Sequence, residues 1–229
     1  MLWRFLDSPV RMESPALPEM IRNTNRQLLV ATSNPGKIRE FRELLPADLS
    51  ILSLGELGLN SPEETGATFR ENANLKALIA AQQTGLLSLA DDSGLEVDAL
   101  GGAPGIRSAR YSGEPPDEAS NRRALLVALA NMPPSQRSAR FVCAVTIASP
   151  NGRVWISEGV LRGTILDHER GSGGFGYDSL FLLGNGRTLA ELLDEEKNLM
   201  SHRAAAIKAI LPALEEAIAS QDAHRHSPR

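Results

Sequence analysis

Two adjacent carboxylates, Asp91 and Asp92, follow the apolar run Leu86-Leu87-Ser88-Leu89-Ala90 and precede Ser93 and Gly94. Neighbouring acids repel each other, and pairing with a cation offsets that. Hard oxygen ligands suit Mg²⁺, which keeps several waters and bridges to phosphate oxygens. A carboxylate here could also accept a proton from an attacking water. The apolar run reads as a strand that ends at the acids, and strand ends at the rim of an α/β sheet are where ligands bind. An acidic turn is the plain alternative.

A second candidate is Thr32-Ser33-Asn34-Pro35-Gly36-Lys37, between a predicted strand and a predicted helix. Unpaired backbone N–H groups and the positive end of the helix dipole make such a junction an anion site. Pro35 suits the first helical turn, Gly36 leaves room for a ligand, and Lys37 adds a cation. The spacing is not that of a Walker A loop. Read alone, an ordinary capped helix start accounts for it.

Three more segments carry chemistry only in company. Glu63-Glu64-Thr65-Gly66 offers carboxylates to a divalent metal, and Asn72 and Lys76 share a helix face just beyond. Gly171-Ser172-Gly173-Gly174-Phe175-Gly176-Tyr177-Asp178 is a backbone-exposed loop whose lone Phe175 could stack on a nucleobase, worth ~1–3 kcal/mol. Lys197 precedes Ser201-His202-Arg203, which opens the last helix. Cations in a first helical turn are disfavoured by the dipole unless an anion joins them.

The elements that must position these groups alternate. Strands are predicted at 27–31, 49–54, 86–90, 140–148, 153–165 and 180–183. Helices are predicted at 35–45, 68–84, 117–131 and 201–219, with Asp117 and Ser201 as N-caps. Ser149-Pro150-Asn151-Gly152 is hairpin turn chemistry. Ile207, Ile210, Leu211, Leu214 and Ile218 form one apolar stripe on the last helix, which Pro212 should bend. The expected class is α/β, with a mixed sheet flanked by helices. Residues 1–26 read as a disordered extension, with Met20 as an alternative start, 27–219 as one domain, and 220–229 as a loose tail.

Composition narrows the classes. With 24 basic and 28 acidic residues in 229, the net charge of −4 argues against a nucleic-acid partner, which needs a basic footprint. The single cysteine, Cys143, rules out an intrachain disulfide framework and reads as a buried strand residue. No run approaches the ~20 apolar residues of a membrane span, and no secretory signal is visible. A cytoplasmic location is the expectation.

Together these segments resemble the Ham1-like family of inosine triphosphate pyrophosphatases. The resemblance rests on Ala31–Phe41, Glu63–Lys76, Ala90–Gly113, Gly173–Asp178 and Glu195–Arg203, in the family's order and spacing. Ala90-Asp91-Asp92-Ser93-Gly94-Leu95, then Leu100-Gly101-Gly102-Ala103-Pro104-Gly105-Ile106 and Ser108-Ala109-Arg110-Tyr111-Ser112-Gly113, is the most specific part. It implies an elongated two-lobed fold with a central twisted mixed sheet and the active site in the cleft. It also implies a homodimer that uses Mg²⁺, one ion per subunit. The implied reaction splits ITP, dITP or XTP into monophosphate and pyrophosphate, cleansing the nucleotide pool.

The resemblance also distributes roles. Thr32, Ser33, Asn34, Pro35, Gly36 and Lys37 would contact the triphosphate. Asp92 would be proton acceptor and metal ligand, and Ser93 would touch the substrate. Glu63 is the first choice as second metal ligand, with Glu64 close behind. Asp91 and Lys76 would support the metal and phosphates. Phe175 would stack on the base, Gly176, Tyr177 and Asp178 would line its pocket, and Lys197, His202 and Arg203 would complete it. Ser33 stands where many members have glycine. Ser179 stands where proline is usual, which is expected to loosen the base pocket. Two rival readings are a pyrimidine-preferring pyrophosphatase of the Maf-like kind and a nucleotide-binding regulator without catalysis. Phe175 with Ser201-His202-Arg203 opposes the first, and the retained acid pair opposes the second.

Overall fold

The computed structural model describes residues 26–225. The extension expected over 1–26, apart from its last residue, and the alternative start at Met20 lie outside the described residues. Six strands form one sheet in the order β2-β1-β3-β4-β5-β6. They are β1 (Gln27–Val30), β2 (Ser50–Ser53), β3 (Ser88–Val97), β4 (Ser138–Ala148), β5 (Val154–Ile165) and β6 (Phe181–Leu182). β1 runs parallel to β2 and β3, and the other pairs are antiparallel. The sheet is therefore mixed, as the βα units followed by a hairpin predict. The hairpin turn closes where expected, with Ser149 N–H donating to Arg153 O at 2.9 Å and Gly152 N–H to Ser149 O at 2.9 Å.

Five helices flank the sheet: α1 (Pro35–Leu44), α2 (Phe69–Thr84), α3 (Glu118–Ala128), α4 (Asp194–Met200) and α5 (His202–Arg225). Local chemistry sets their starts. Asn34, Thr68 and Asp117 each cap a helix through a side-chain oxygen. Ser201 Oγ accepts Ala204 N–H at 3.1 Å just ahead of α5. The short helix α4 was not expected. α5 continues through Pro212 and on to Arg225, into the stretch expected to be loose.

Burial divides into clusters. Ile207, Ile210, Leu214 and Ile218, the predicted stripe, pack with Phe41 of α1 and with Val145 and Ile147 of β4. A second cluster joins Leu125 and Leu129 to Phe141, Tyr177 and Phe181. Under α2 the core is mostly alanine, namely Ala77, Ala80 and Ala81 against Leu29 and Ala90. Small side chains let a helix approach closely. That brings the polar residues of α2 down to the sheet.

One expectation fails. β3 does not end at Asp91-Asp92. It runs to Val97, with Asp91 opposite Val145 and Asp92 opposite Ala144 on β4. Acids are depleted in strands, so local propensity argued for a strand end. Buried cations from α1, α2 and α5 override that propensity. No helix among the described residues is long and apolar enough to cross a membrane.

Candidate active site

Alternation along β3 sends Asp91 and Asp92 to opposite faces of the sheet. Asp91 is fully buried. Its Oδ2 faces Lys37 Nζ at 3.0 Å and Arg203 Nη2 at 2.9 Å, and it accepts from Ser93 Oγ at 3.2 Å. Burial would raise this carboxyl, but Lys37, Arg203 and Lys76 outweigh it and hold the group far below the usual range. Asp91 is thus a fixed anion that positions two cations.

Asp92 meets a different set of groups. Asn72 Nδ2 donates to its Oδ2 at 2.9 Å, and Ser93 N–H donates to its Oδ1 at 3.0 Å. Lys76 Nζ lies 3.9 Å from Asp92 and 2.6 Å from Glu64. Burial, joined by the charge of Glu64, pushes the Asp92 carboxyl above its ordinary value against the pull of Lys76. Glu64 moves the other way: burial would raise it, and Lys76, Lys37 and Arg110 outweigh that.

Asp92 and Glu64 open on a cavity of about 400 Å³. Its wall also holds Thr32, Ser33, Asn34, Lys37 and Lys76, together with Phe175, Gly176, Tyr177, Asp178, Lys197, His202 and Arg203. The predicted segments therefore converge, although they are spread from residue 32 to residue 203.

Three placements differ from expectation. Glu63 is exposed and does not line the cavity, whereas Glu64 does. Pro35 and Gly36 are not on the cavity wall. Gly36 makes room for a side chain: a Cβ there would lie 3.2 Å from the Phe175 ring, so glycine lets the aromatic settle on the loop. Arg203 is already engaged, ion-paired to Asp91 and Glu40 and donating to Ser93 Oγ at 2.9 Å. A solvated helix start is not what the chain builds.

The aromatic part of the cavity wall is framed by contacts that fix its backbone. Tyr177 Oη donates to Ser108 O at 2.8 Å. Asp178 Oδ2 accepts Phe175 N–H at 3.0 Å and faces Lys197 Nζ at 3.0 Å. Lys197 Nζ also sits 4.6 Å from the Phe175 ring centroid, a cation–π distance. His202 stacks on Phe141, with ring centroids 4.9 Å apart and planes at 12°. Its Nδ1 is buried with no hydrogen-bond partner among the described residues. Burial, with Arg203 and Lys197 nearby, lowers His202 well below the ordinary histidine value, so the ring is neutral. α5 reaches this place because Gly159 of β5 has no side chain. A Cβ there would fall 2.1 Å from His202 O.

Sequence reasoning missed one residue that holds the site together and singled out another without finding its partner. Glu40 of α1 is buried and pairs with Lys197 Nζ at 2.7 Å and with Arg203. Its partners are 157 and 163 positions away, so no local signal marks it. Asn72 had a signal, its helix face shared with Lys76, but nothing tied that face to Asp92.

No group of three or more His, Cys, Asp or Glu side chains placed to hold a metal occurs among the described residues. Asp92 and Glu64 nevertheless fit a hard divalent cation. They are two carboxylates on one cavity wall, and the charge of Glu64 disfavours ionisation of Asp92. A divalent cation held by Asp92 and Glu64 would relieve that repulsion and would supply charge for binding phosphate.

Known proteins match the chain along most of its length. A family model described as the Ham1 family matches residues 28–213. The dITP/XTP pyrophosphatase of Desulforamulus reducens is 50% identical over 191 residues, 82% of this chain and 95% of the relative. That of Thermus thermophilus is 47% identical over 192 residues, covering 83% and 92%. A solved Ham1 protein from Coxiella burnetii superposes with a TM-score of 0.76 at 40% identity, covering 83% of this chain and 99% of the other.

Proposed function

The chain belongs to the Ham1 family, and from that premise we propose that it hydrolyses deaminated purine nucleoside triphosphates, ITP, dITP and XTP, to the monophosphate and pyrophosphate. One observation carries the reading. A single cavity joins a phosphate-type loop and the carboxylates of Asp92 and Glu64 to an aromatic, histidine-bearing wall. It does so in a chain half identical to a named dITP/XTP pyrophosphatase.

In this reading Asp92 accepts the proton of the water that attacks the α-phosphorus. An oxygen–phosphorus bond forms, and the bond to the pyrophosphate oxygen breaks. Asn72 and the Ser93 N–H fix the orientation of the carboxylate. Burial and the charge of Glu64 raise its basicity above that of an ordinary carboxylate, which favours accepting a proton. Lys37 and Lys76 face the polyphosphate. Mg²⁺, held by Asp92 and Glu64, would supply further neutralisation of phosphate charge. Lys197 is tied to Glu40 and Asp178, and Arg203 to Glu40 and Asp91, which fixes where both stand on the cavity wall.

Base selection follows from hydrogen-bond matching. A 6-oxo purine accepts where a 6-amino purine donates. His202 and Phe175 both line the cavity, the first as a polar ring and the second as a stacking surface. A mismatched base would leave buried polar groups unpaired. The reading extends to pool cleansing by a cytoplasmic homodimer, with the cavity as the cleft of a two-lobed molecule. These last features rest on the family resemblance.

A panel of nucleoside triphosphates with pyrophosphate detection in Mg²⁺ tests the proposal. ITP, dITP and XTP should exceed ATP in kcat/KM by about 100-fold or more. Equal rates on all purine triphosphates would sink the specificity claim. Tight ITP binding without turnover would make the protein a sensor instead.

A further inference from the structure

The loop that carries Phe175 contains Gly171, Gly173, Gly174 and Gly176. Such a run has high backbone entropy, and ordering it on binding costs affinity. Gly176 has φ +62°, in the left-handed region, and lies between Phe175 and Tyr177, both on the cavity wall. Both of its backbone polar groups are held by α3. Its N–H donates to Glu118 Oε2 at 3.0 Å, and its C=O accepts from Arg122 Nη1 at 2.9 Å. Glu118 and Arg122 are four residues apart, so one helix face holds both sides of one residue.

The chain of contacts continues outward. Arg122 Nε lies 2.9 Å from Glu169 Oε2, and the same carboxylate oxygen accepts Ser179 Oγ at 3.0 Å. Arg170 N–H donates to Ser179 O at 2.8 Å. Ser179 was expected to loosen the base pocket. Instead its hydroxyl anchors the far end of a polar chain that runs Ser179–Glu169–Arg122–Gly176–Glu118. Side-chain exposure of Arg122 is 19%, so the guanidinium works partly shielded from water.

We propose that this chain is a brace that pre-orders the base-binding loop, making Arg122 a positioning residue for the purine end of the substrate. The proposal rests on the functional reading above. It differs from a general structural role in what it touches. Fixing the two peptide planes around Gly176 sets where Phe175 and Tyr177 stand before ligand arrives. Pre-ordering contributes to binding and leaves the reacting end alone. The Asp92 end shares none of these contacts.

The test is a split between binding and turnover. Arg122→Ala should raise KM for ITP by about tenfold, the size of one lost charge-assisted hydrogen bond. Its kcat should stay within about twofold, the pattern of lost uniform binding. Calorimetry should show IMP bound about tenfold more weakly and pyrophosphate bound as before. Arg122→Lys keeps the charge but cannot bridge Glu169 and Gly176 as a fork, so it should recover only part of the affinity. Ser179→Ala should have a smaller effect that vanishes in the Arg122→Ala background, because both act through one chain. An unchanged KM, or equal weakening of IMP and pyrophosphate, would overturn the brace. So would kcat falling together with thermal stability. A wild-type protein that neither turned over ITP nor bound IMP would bring down the functional reading itself, and the ligand of the brace with it.

Discussion

Asp91 and Asp92 are neighbours in one strand, yet they meet different surroundings. Asp91 faces α1 and α5, is 0% exposed, and is held by Lys37 and Arg203. Asp92 faces α2, is 5% exposed, and lies on the cavity wall. Surplus positive charge drives the first carboxyl down, and burial with a neighbouring acid drives the second up. A strand of alternating side chains can thus place one acid where it must stay charged and the next where its proton affinity is useful. The contrast is between a carboxylate that builds the site and one that can react in it.

The sharpest way to break this comparison is to neutralise each acid in turn. Asp92→Asn should abolish pyrophosphate release, by about 10²–10⁴-fold for loss of a general base, and leave the melting temperature nearly unchanged. Retained turnover would remove Asp92 from the chemistry.

Asp91→Asn should do the reverse first, destabilising the protein. It leaves Arg203 and Lys37 short of a buried anion, a loss of about 3–5 kcal/mol, readable by denaturant titration. The pH dependence follows the same logic. A depressed carboxyl binds its proton in the unfolded chain before it does in the folded one. Its stabilisation is therefore complete above the unfolded value, about 4, and declines as pH falls below that. Wild type should lose stability in that window, and Asp91→Asn should show a flatter acid limb. A variant as stable as wild type would erase the difference between the two faces.

The smallest effect separates the second pair of acids. Glu64→Gln should raise the Mg²⁺ concentration needed for half-maximal rate by about tenfold, while Glu63→Gln should leave it alone. Equal shifts in both variants would show that the exposed Glu63 swings in when ligand is bound.

Much of this was legible in the residues. Turn and cap chemistry located the hairpin and the helix starts. The stripe from Ile207 to Ile218 located the buried face of α5. The candidate segments were recognisable because each carries unusual residue types at close spacing. What was not legible has a common cause, which is that the partner lies far along the chain. Glu40 reads as one more polar residue on a surface helix until Lys197 and Arg203 arrive. The expected order of Glu63 over Glu64 was a choice between two identical side chains; the path of the loop past Lys76 puts Glu64, not Glu63, on the cavity wall. Ser179 read as a loss of stiffness because its acceptor, Glu169, belongs to no motif.

The acid pair shows where the boundary falls. Sequence alone determined that two carboxylates sit beside an apolar strand, and that the chain also carries a cationic strand-to-helix loop and an aromatic within a glycine run. Those are matters of residue type and local propensity. Only the tertiary structure decided that β3 continues through the acids, because strand continuity here depends on cations contributed by three separate helices. Once the strand continues, its two-residue period sends the acids to opposite faces and divides their roles.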